Sequence, residues 1–143
     1  EKRSSFLGHV RMVETEEDAK AFVQALKKEH YDARHNCWCY AIKDGPTRYS
    51  DDGEPAGTAG MPVLDYIRKT GFTDAVVVVT RYFGGILLGK GGLVRAYSSS
   101  VAECLDTADI RLLQVCAEYA VSVSYTGVDG VQKYTSTHTR LWW

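Results

Sequence analysis

The apolar positions at the start of the chain change from a strand period to a helix period. Residues 6–13 alternate in hydrophobicity from one position to the next, which predicts a strand. The following apolar residues recur at the i, i+3, i+4 and i+7 spacing of one helix face, namely Ala19, Phe22, Val23 and Leu26. Thr15 is a suitable N-cap, because acidic residues follow it at the positive end of the helix dipole. The pattern predicts a strand and then a helix that ends near His30.

The middle of the chain predicts a hairpin, a helix and a buried strand. A strand over residues 36–43 meets a turn signal at Asp44-Gly45-Pro46 and returns over residues 47–50. Pro62 suits the first turn of a helix, and Gly71 is its expected end. Residues 75–81 contain a run of valines without polar alternation, which is typical of a central strand buried on both faces.

The last third of the chain predicts a helix over residues 93–106 and a final strand over residues 112–125. The resulting order, β-α-β-β-α-β-α-β, predicts an α+β fold. We expect a two-layer sandwich in which a mixed β-sheet carries its helices on one face. The 143 residues suit one domain with its own core, which we assign to residues 1–124.

Composition narrows the function classes without choosing one. The formal net charge is -1, so attraction to nucleic acid would have to come from a local basic patch. The longest apolar run, residues 75–79, is too short for a membrane span, and no signal peptide is visible. Four cysteines without a C-x-x-C pair fit a reducing compartment. We therefore expect a cytoplasmic protein with no membrane contact.

A glycine-rich segment over residues 81–97 is the first candidate for chemistry. Its glycines allow close backbone approach at the start of a helix, where unpaired N–H groups favour anions. Basic side chains accompany them, so the segment is a candidate phosphate or nucleic-acid site formed by Arg81, Gly84, Gly85, Lys90, Gly91, Gly92 and Arg95. The alternative is that the glycines only permit tight packing of the strand against the helix.

An acidic loop is the second candidate. Asp51, Asp52 and Glu54 are close enough in sequence to bind Mg²⁺ or to act as acid or base, and they are the candidate catalytic residues. The alternative is a solvated turn whose carboxylate caps the next helix. His35 and Cys37 share a strand face and allow a nucleophile, although a packed structural cysteine is the preferred interpretation. No histidine pair has zinc-ligand spacing, and we predict no metal or cofactor.

Three separate segments together resemble the motifs of one family. They are Asp51-Asp52-Gly53-Glu54-Pro55-x-Gly57-Thr58-Ala59-Gly60-x-Pro62, Thr80-Arg81-Tyr82-Phe83-Gly84-Gly85 and Leu88-Gly89-x-Gly91-Gly92-Leu93-x-Arg95-Ala96-Tyr97. His35-Asn36-Cys37 matches a further motif on the second strand. By these motifs the chain resembles the IMPACT family, in its YigZ-like bacterial branch, over about residues 4–125.

The resemblance implies a fold like the second domain of a small-subunit ribosomal protein. It also implies a role near translation, because eukaryotic members regulate translation by competing for the activator of the amino-acid-starvation kinase. Bacterial members usually carry a second, smaller domain, so residues 125–143 are expected to be its start or remnant, or a tail.

We therefore expect a non-enzymatic regulator that binds RNA, the ribosome or a translation factor. One alternative is a phosphate-handling or metal-dependent hydrolase that uses the acidic and glycine-rich segments. The other alternative is a protein-interaction module. The sequence does not predict the oligomeric state.

Overall fold

Four strands and four α-helices make up the computed structural model, which describes residues 3–111, 115 and 117–138. The first seven elements follow the predicted order. They are β1 (Ser5–Met12), α1 (Glu16–Glu29), β2 (His35–Ala41), β3 (Thr47–Ser50), α2 (Gly60–Thr70), β4 (Ala75–Tyr82) and α3 (Gly89–Thr107). A 3-10 helix (Tyr125–Gly127) and α4 (Val128–His138) come after them. The α+β class is confirmed.

The strands form one sheet in the order β1-β4-β2-β3, and every described pair is antiparallel. The last strand, β4, lies between β1 and β2, so that Ser5 is opposite Tyr82 on one side and His35 is opposite Arg81 on the other. The prediction of a mixed sheet is therefore wrong. The two strands joined through α1 run parallel to each other, but β4 separates them and pairs with both in the opposite direction.

Helices cover both faces of the sheet, which corrects the prediction of a two-layer sandwich with helices on one face. Val76 and Val78 pack in a core cluster with α1, whereas Val77 and Val79 pack in a second cluster with α2 and α3. Successive side chains of a strand point to opposite faces. The valine run of β4 therefore needs apolar cover on both sides. Helix α1 covers one face of the sheet, and α2 and α3 cover the other.

The helix ends follow the local sequence signals. Thr15 caps α1, since its hydroxyl accepts a hydrogen bond from the Asp18 amide at 3.1 Å. Gly71 ends α2 with a left-handed φ of 77°. The third helix begins at Gly89, before the predicted start, because the φ of 73° at Gly89 lets the chain turn directly into the helix. Gly91 therefore lies in the first turn of α3 and not in a loop.

The predicted final strand over residues 112–125 is absent from the part of it that the structure describes. Residues 115 and 117–124 belong to no strand, while 112–114 and 116 lie outside the described residues. Val115, Tyr119 and Val121 are exposed. Alternating apolar residues form a stable strand only where a neighbouring strand or core accepts them, and these residues have no such cover.

The contacts divide the chain into two units, residues 1–110 and residues 111–143. The first contains the whole sheet and both core clusters, and the second contains the 3-10 helix and α4. The assignment of residues 1–124 to one domain stays a prediction. No helix among the described residues is long and apolar enough to cross a membrane.

Candidate functional site

A cleft of about 380 Å³ lies at the end of β4, where the acidic loop and the glycine-rich segment meet. It is on the α2 and α3 side of the sheet, because Arg81 follows Val77 and Val79 at alternate positions of β4. Two stretches of its wall, residues 53–55 and 87–90, come from the two segments singled out in the sequence. The full lining is Arg34, His35, Gly53, Glu54, Pro55, Arg81, Phe83, Leu87, Leu88, Gly89, Lys90 and Leu93.

A buried ion pair forms the polar part of this lining. Arg81 is only 4% exposed, and its Nη1 donates to Glu54 Oε1 at 2.6 Å. The Tyr97 hydroxyl donates to the same oxygen at 2.7 Å, and Arg81 Nη2 donates to Ser4 Oγ at 3.4 Å. Arg81 Nε is buried and has no hydrogen-bond partner among the described residues. The guanidinium thus keeps one unused donor beside the cleft.

Planar side chains surround this ion pair. The Phe83 ring centroid lies 5.4 Å from the Arg81 guanidinium carbon and 5.0 Å from that of Arg34. Both distances are within the range of a cation–π contact. Arg34 is exposed, in contrast to Arg81, and its charge faces solvent at the mouth of the cleft.

The acidic loop is held by its own carboxylates. Asp51 Oδ1 accepts from the amides of Ala59 and Gly60 at 3.1 and 2.8 Å, and Oδ2 accepts from the Gly57 amide at 2.9 Å. Asp51 therefore caps the start of α2, as one of the two sequence interpretations held. Asp52 accepts from the Asn36 amide at 2.7 Å and pairs with Lys27 at 3.1 Å.

Each carboxylate oxygen of the candidate catalytic residues Asp51, Asp52 and Glu54 has a polar partner within the fold, including the His35 ring nitrogen 3.6 Å from Glu54 Oε2. In the described part of the chain no cluster of three or more His, Cys, Asp or Glu side chains is arranged to hold a metal ion. The geometry thus gives these carboxylates a structural use.

His35 and Cys37 also serve the loop. The His35 Nδ1 lies 2.7 Å from the Asp52 carbonyl, which can only accept, so Nδ1 donates. The Cys37 thiol donates to the Asp51 carbonyl at 3.0 Å. Burial raises the pKa of Cys37 to about 12, which favours the protonated thiol near neutral pH and fits a packed structural cysteine. Burial likewise raises the pKa of Tyr97 and keeps its hydroxyl a donor.

The start of α3 differs from those of α1 and α2. Thr15 accepts an amide of α1 and Asp51 accepts amides at the start of α2, whereas α3 has no side-chain cap and no acidic residue in its first turn. The first amides of a helix have no partner within the helix, and they carry part of the positive end of its dipole. Gly89 and Lys90, at this end, line the cleft.

The candidate phosphate-site residues divide into two groups. Arg81 and Lys90 line the cleft, and Lys90 is exposed. The others lie outside the lining. Arg95 is exposed further along α3, Gly85 has a φ of 86° in the loop, and Gly91 and Gly92 are in the first turns of the helix.

One of these glycines has a packing role, because a Cβ at Gly84 would overlap the backbone of Arg3. The packing interpretation of the glycines thus holds at this position. Sequence reasoning did not single out Arg34, Phe83 or Leu87 as site residues. Phe83 stood inside a recognised motif, but no sequence signal marks Arg34 as a neighbour of that ring.

Comparison with known proteins identifies the family of the chain. A family model described as the Impact N-terminal domain matches residues 2–105. The chain belongs to the IMPACT family. The matched range covers the acidic loop, β4 and nearly all of α3, so the whole lining of the cleft lies within this IMPACT domain.

Two bacterial IMPACT proteins are similar over most of the chain. YvyE of Bacillus subtilis is 44% identical over 126 residues, which cover 82% of this chain and 58% of YvyE. YigZ of Escherichia coli is 40% identical over 135 residues, which cover 92% of this chain and 66% of YigZ. This chain thus spans less than two thirds of either relative.

A solved structure supports the fold. The crystal structure of a protein described as hypothetical superposes with a TM-score of 0.75 at 38% identity. The superposition covers 96% of this chain and 68% of that one.

Proposed function

We propose that this chain is a non-enzymatic binding protein of translation that engages RNA through phosphate contacts in the cleft. The observation that carries the proposal is the uncapped start of α3 beside Lys90, in a cleft that Arg34 also lines. A helix N-terminus with free amides is a favourable place for phosphate oxygens. Lys90 and Arg34 add positive charge, while the negative charge of Glu54 is paired with Arg81.

The charge distribution supports a local site. The chain as a whole carries a formal charge of -1, so it provides no general attraction for a polyanion. Arg95 is also exposed on α3, and its guanidinium lies near Gly91 in the first turn of the helix. Arg95 thus adds a second positive charge near the start of α3.

Membership of the IMPACT family supports the part of the proposal that concerns translation. Eukaryotic members of the family that the sequence resembles regulate translation, and we propose the same role for this chain. Translation takes place in the cytoplasm, which is therefore the proposed location. The RNA is either free or part of the ribosome, and a translation factor is the alternative partner.

Fluorescence anisotropy of labelled single-stranded RNA, titrated with the protein across a salt series, tests this proposal. We expect Lys90→Ala and Arg95→Ala each to weaken binding similarly for all sequences and to reduce the slope of log K against log salt by about 1. Lys43→Ala is the matched control. Lys43 is an exposed lysine just beyond the end of β2 farthest from His35 and the cleft.

Equal effects of Lys90→Ala and Lys43→Ala on RNA affinity would show that RNA does not bind through the cleft. Absence of RNA binding at low salt would overturn the RNA proposal and favour a protein partner. Binding to such a partner through an apolar surface is expected to depend much less on salt.

A further inference from the structure

We propose that the cleft holds one unpaired nucleotide, with its phosphate at the start of α3 and its base against Phe83 and Leu87. This inference rests on the proposed function and names the chemical unit that the site takes. That unit is either a free nucleoside monophosphate or one nucleotide of single-stranded RNA.

The volume of the cleft sets the size of the ligand. Pockets for small ligands range over about 300–1,000 Å³, and this cleft, at about 380 Å³, is near the lower limit. A ligand of the size of one nucleotide suits this volume. A base in a duplex would first have to leave its stack, which costs energy, whereas an unpaired base has no such cost.

Two independent features mark the phosphate end. The first is the start of α3, which has no side-chain cap and no acidic residue. The second is Arg81, a residue of the cleft lining whose Nε is buried and has no hydrogen-bond partner among the described residues. Leaving a buried donor unpaired costs stability, so this atom is explained if a ligand oxygen accepts from it.

Other residues of the lining are suited to a base. The Phe83 ring is half-buried, and the guanidinium of Arg34 lies over it at 5.0 Å. Unpaired bases stack on aromatic rings and on guanidinium planes. Leu87 is 81% exposed although it is a large apolar side chain at the edge of the cleft. A base placed against Phe83 and Leu87 would remove this apolar surface from water.

The loop that carries Leu87 has glycine at both sides. Gly85 and Gly89 have φ of 86° and 73°, and an added Cβ at either would meet no atom within 4 Å. Ile86 and Leu87, between these glycines, are both exposed. The loop thus provides an apolar edge to the cleft at Leu87.

Isothermal titration calorimetry of the full chain tests the inference directly. The probes are the four nucleoside monophosphates, ribose 5-phosphate, inorganic phosphate and a short single-stranded RNA. We expect the nucleotides to bind at least about tenfold more tightly than ribose 5-phosphate, because base stacking supplies the difference. Inorganic phosphate should bind more weakly still.

Two variants separate the base contact from the phosphate contact. Leu87→Ala should weaken nucleotide binding roughly fivefold through lost apolar contact and leave ribose 5-phosphate unchanged. Met12→Ala, an exposed apolar residue at the far end of β1, is the control. Phe83→Leu should weaken nucleotides about tenfold, and a thermal unfolding curve checks that this half-buried position still folds.

The outcomes distinguish this inference from the proposed function. Equal affinity for nucleotides and ribose 5-phosphate, with no effect of Leu87→Ala, would overturn the base subsite and leave the phosphate site standing. RNA binding that depends on Lys90 but not on Leu87 would do the same. If free nucleotides bind and Leu87→Ala weakens their binding, the ligand is a free nucleotide. If only RNA binds and Leu87→Ala weakens its binding, the ligand is a nucleotide within RNA. If no probe binds, both the inference and the proposed function fail.

Discussion

Glu54 holds the polar side of the cleft together, because three neighbours direct polar atoms at its carboxylate. Arg81 and Tyr97 donate to Oε1, and the His35 ring nitrogen lies 3.6 Å from Oε2. A buried ion pair adds little net stability compared with apolar residues, but the loss of one partner leaves the other charge uncompensated. Loss of the Glu54 carboxylate would therefore leave the buried Arg81 charge without its partner.

We expect Glu54→Gln to lower the free energy of unfolding by about 3–5 kcal/mol, since it leaves the Arg81 charge buried without a counter-charge. Urea unfolding followed by circular dichroism measures this change. Glu103→Gln on the exposed surface of α3 is the control and should change stability by less than about 0.5 kcal/mol. Similar losses in the two variants would contradict the importance given to the buried pair.

A second residue-scale prediction concerns His9 on the other face of the sheet. Burial lowers the pKa of His9 below its usual 6.5, and neighbouring His30 lowers this pKa further while Glu29 opposes the change. The unfolded chain then binds more protons than the folded chain between the two pKa values. The free energy of unfolding should therefore fall as the pH decreases below about 6.5.

Urea midpoints of the wild type and His9→Gln at pH 7.5 and pH 5.5 test this dependence. Acidic side chains stay mostly ionised in this range, and the variant removes the imidazole of His9 while the rest of the chain is unchanged. We expect the midpoint of the variant to fall less on acidification than that of the wild type. An equal or larger fall in the variant would show that His9 does not cause the loss.

At the scale of elements, the glycines of the chain serve different purposes and give opposite predictions. An added Cβ at Gly91 meets only the flexible guanidinium of Arg95 at 3.4 Å, whereas at Gly8 it meets Cys104 Cβ at 2.8 Å. Gly91 is exposed in a helix, where alanine is the better helix former. Gly8 permits the close approach of β1 to α3.

We therefore expect Gly91→Ala to raise the free energy of unfolding by roughly 0.5–1 kcal/mol. Gly8→Ala should lower it by about 1–3 kcal/mol, because the strand and the helix must move apart. Thermal unfolding of the two variants beside the wild type measures both changes. Destabilisation by both substitutions to the same degree would show that Gly91, too, is fixed by close packing.

The sequence predicted the elements of residues 1–110 well, because each has a local cause. Thr15 caps α1, Gly71 ends α2 and the valine run forms β4, all as expected from the residues themselves. The strand predicted over residues 112–125 was wrong in its described part, since alternation at Val115 and Tyr119 says nothing about a partner strand. The period of a segment is local, whereas strand pairing depends on the rest of the chain.

The difference between local sequence signals and long-range contacts applies to the site as well. Both candidate segments were found from residue types, and the structure places them on one cleft. The sequence could not show that Arg81 pairs with Glu54, because that contact joins residues far apart in the chain. It also left open which carboxylate caps α2, a role that the geometry gives to Asp51.

At the scale of the whole molecule, the first unit, residues 1–110, contains the four strands of the described sheet. Both core clusters lie within this unit, with Leu105 as their last member. A domain of this size buries enough apolar surface to fold alone. We expect a fragment that ends at Ile110 to unfold cooperatively, with a free energy of unfolding within about 1 kcal/mol of that of the full chain.

Thermal and urea unfolding of the fragment, with the full chain beside it, make this measurement. The RNA titration on the same fragment adds a functional reading, because every residue that lines the cleft is retained. A fragment without a cooperative transition would mean that residues 111–143 contribute to the stability of the first unit.

The position of β4 in the sheet also affects how the sheet forms while the chain emerges from the ribosome. In the described part of the chain β1 pairs only with β4, which is the last strand to be synthesised and the one that lies between β1 and β2. The earlier strands can form the β2–β3 hairpin, but β1 has no neighbour until Ala75 to Tyr82 have left the exit tunnel. With synthesis at about 5–20 residues per second, the nascent chain spends several seconds with an open strand edge. During that interval the unpaired edges of β1 and β2 can pair with other strands. The sheet is complete only after β4 has been synthesised.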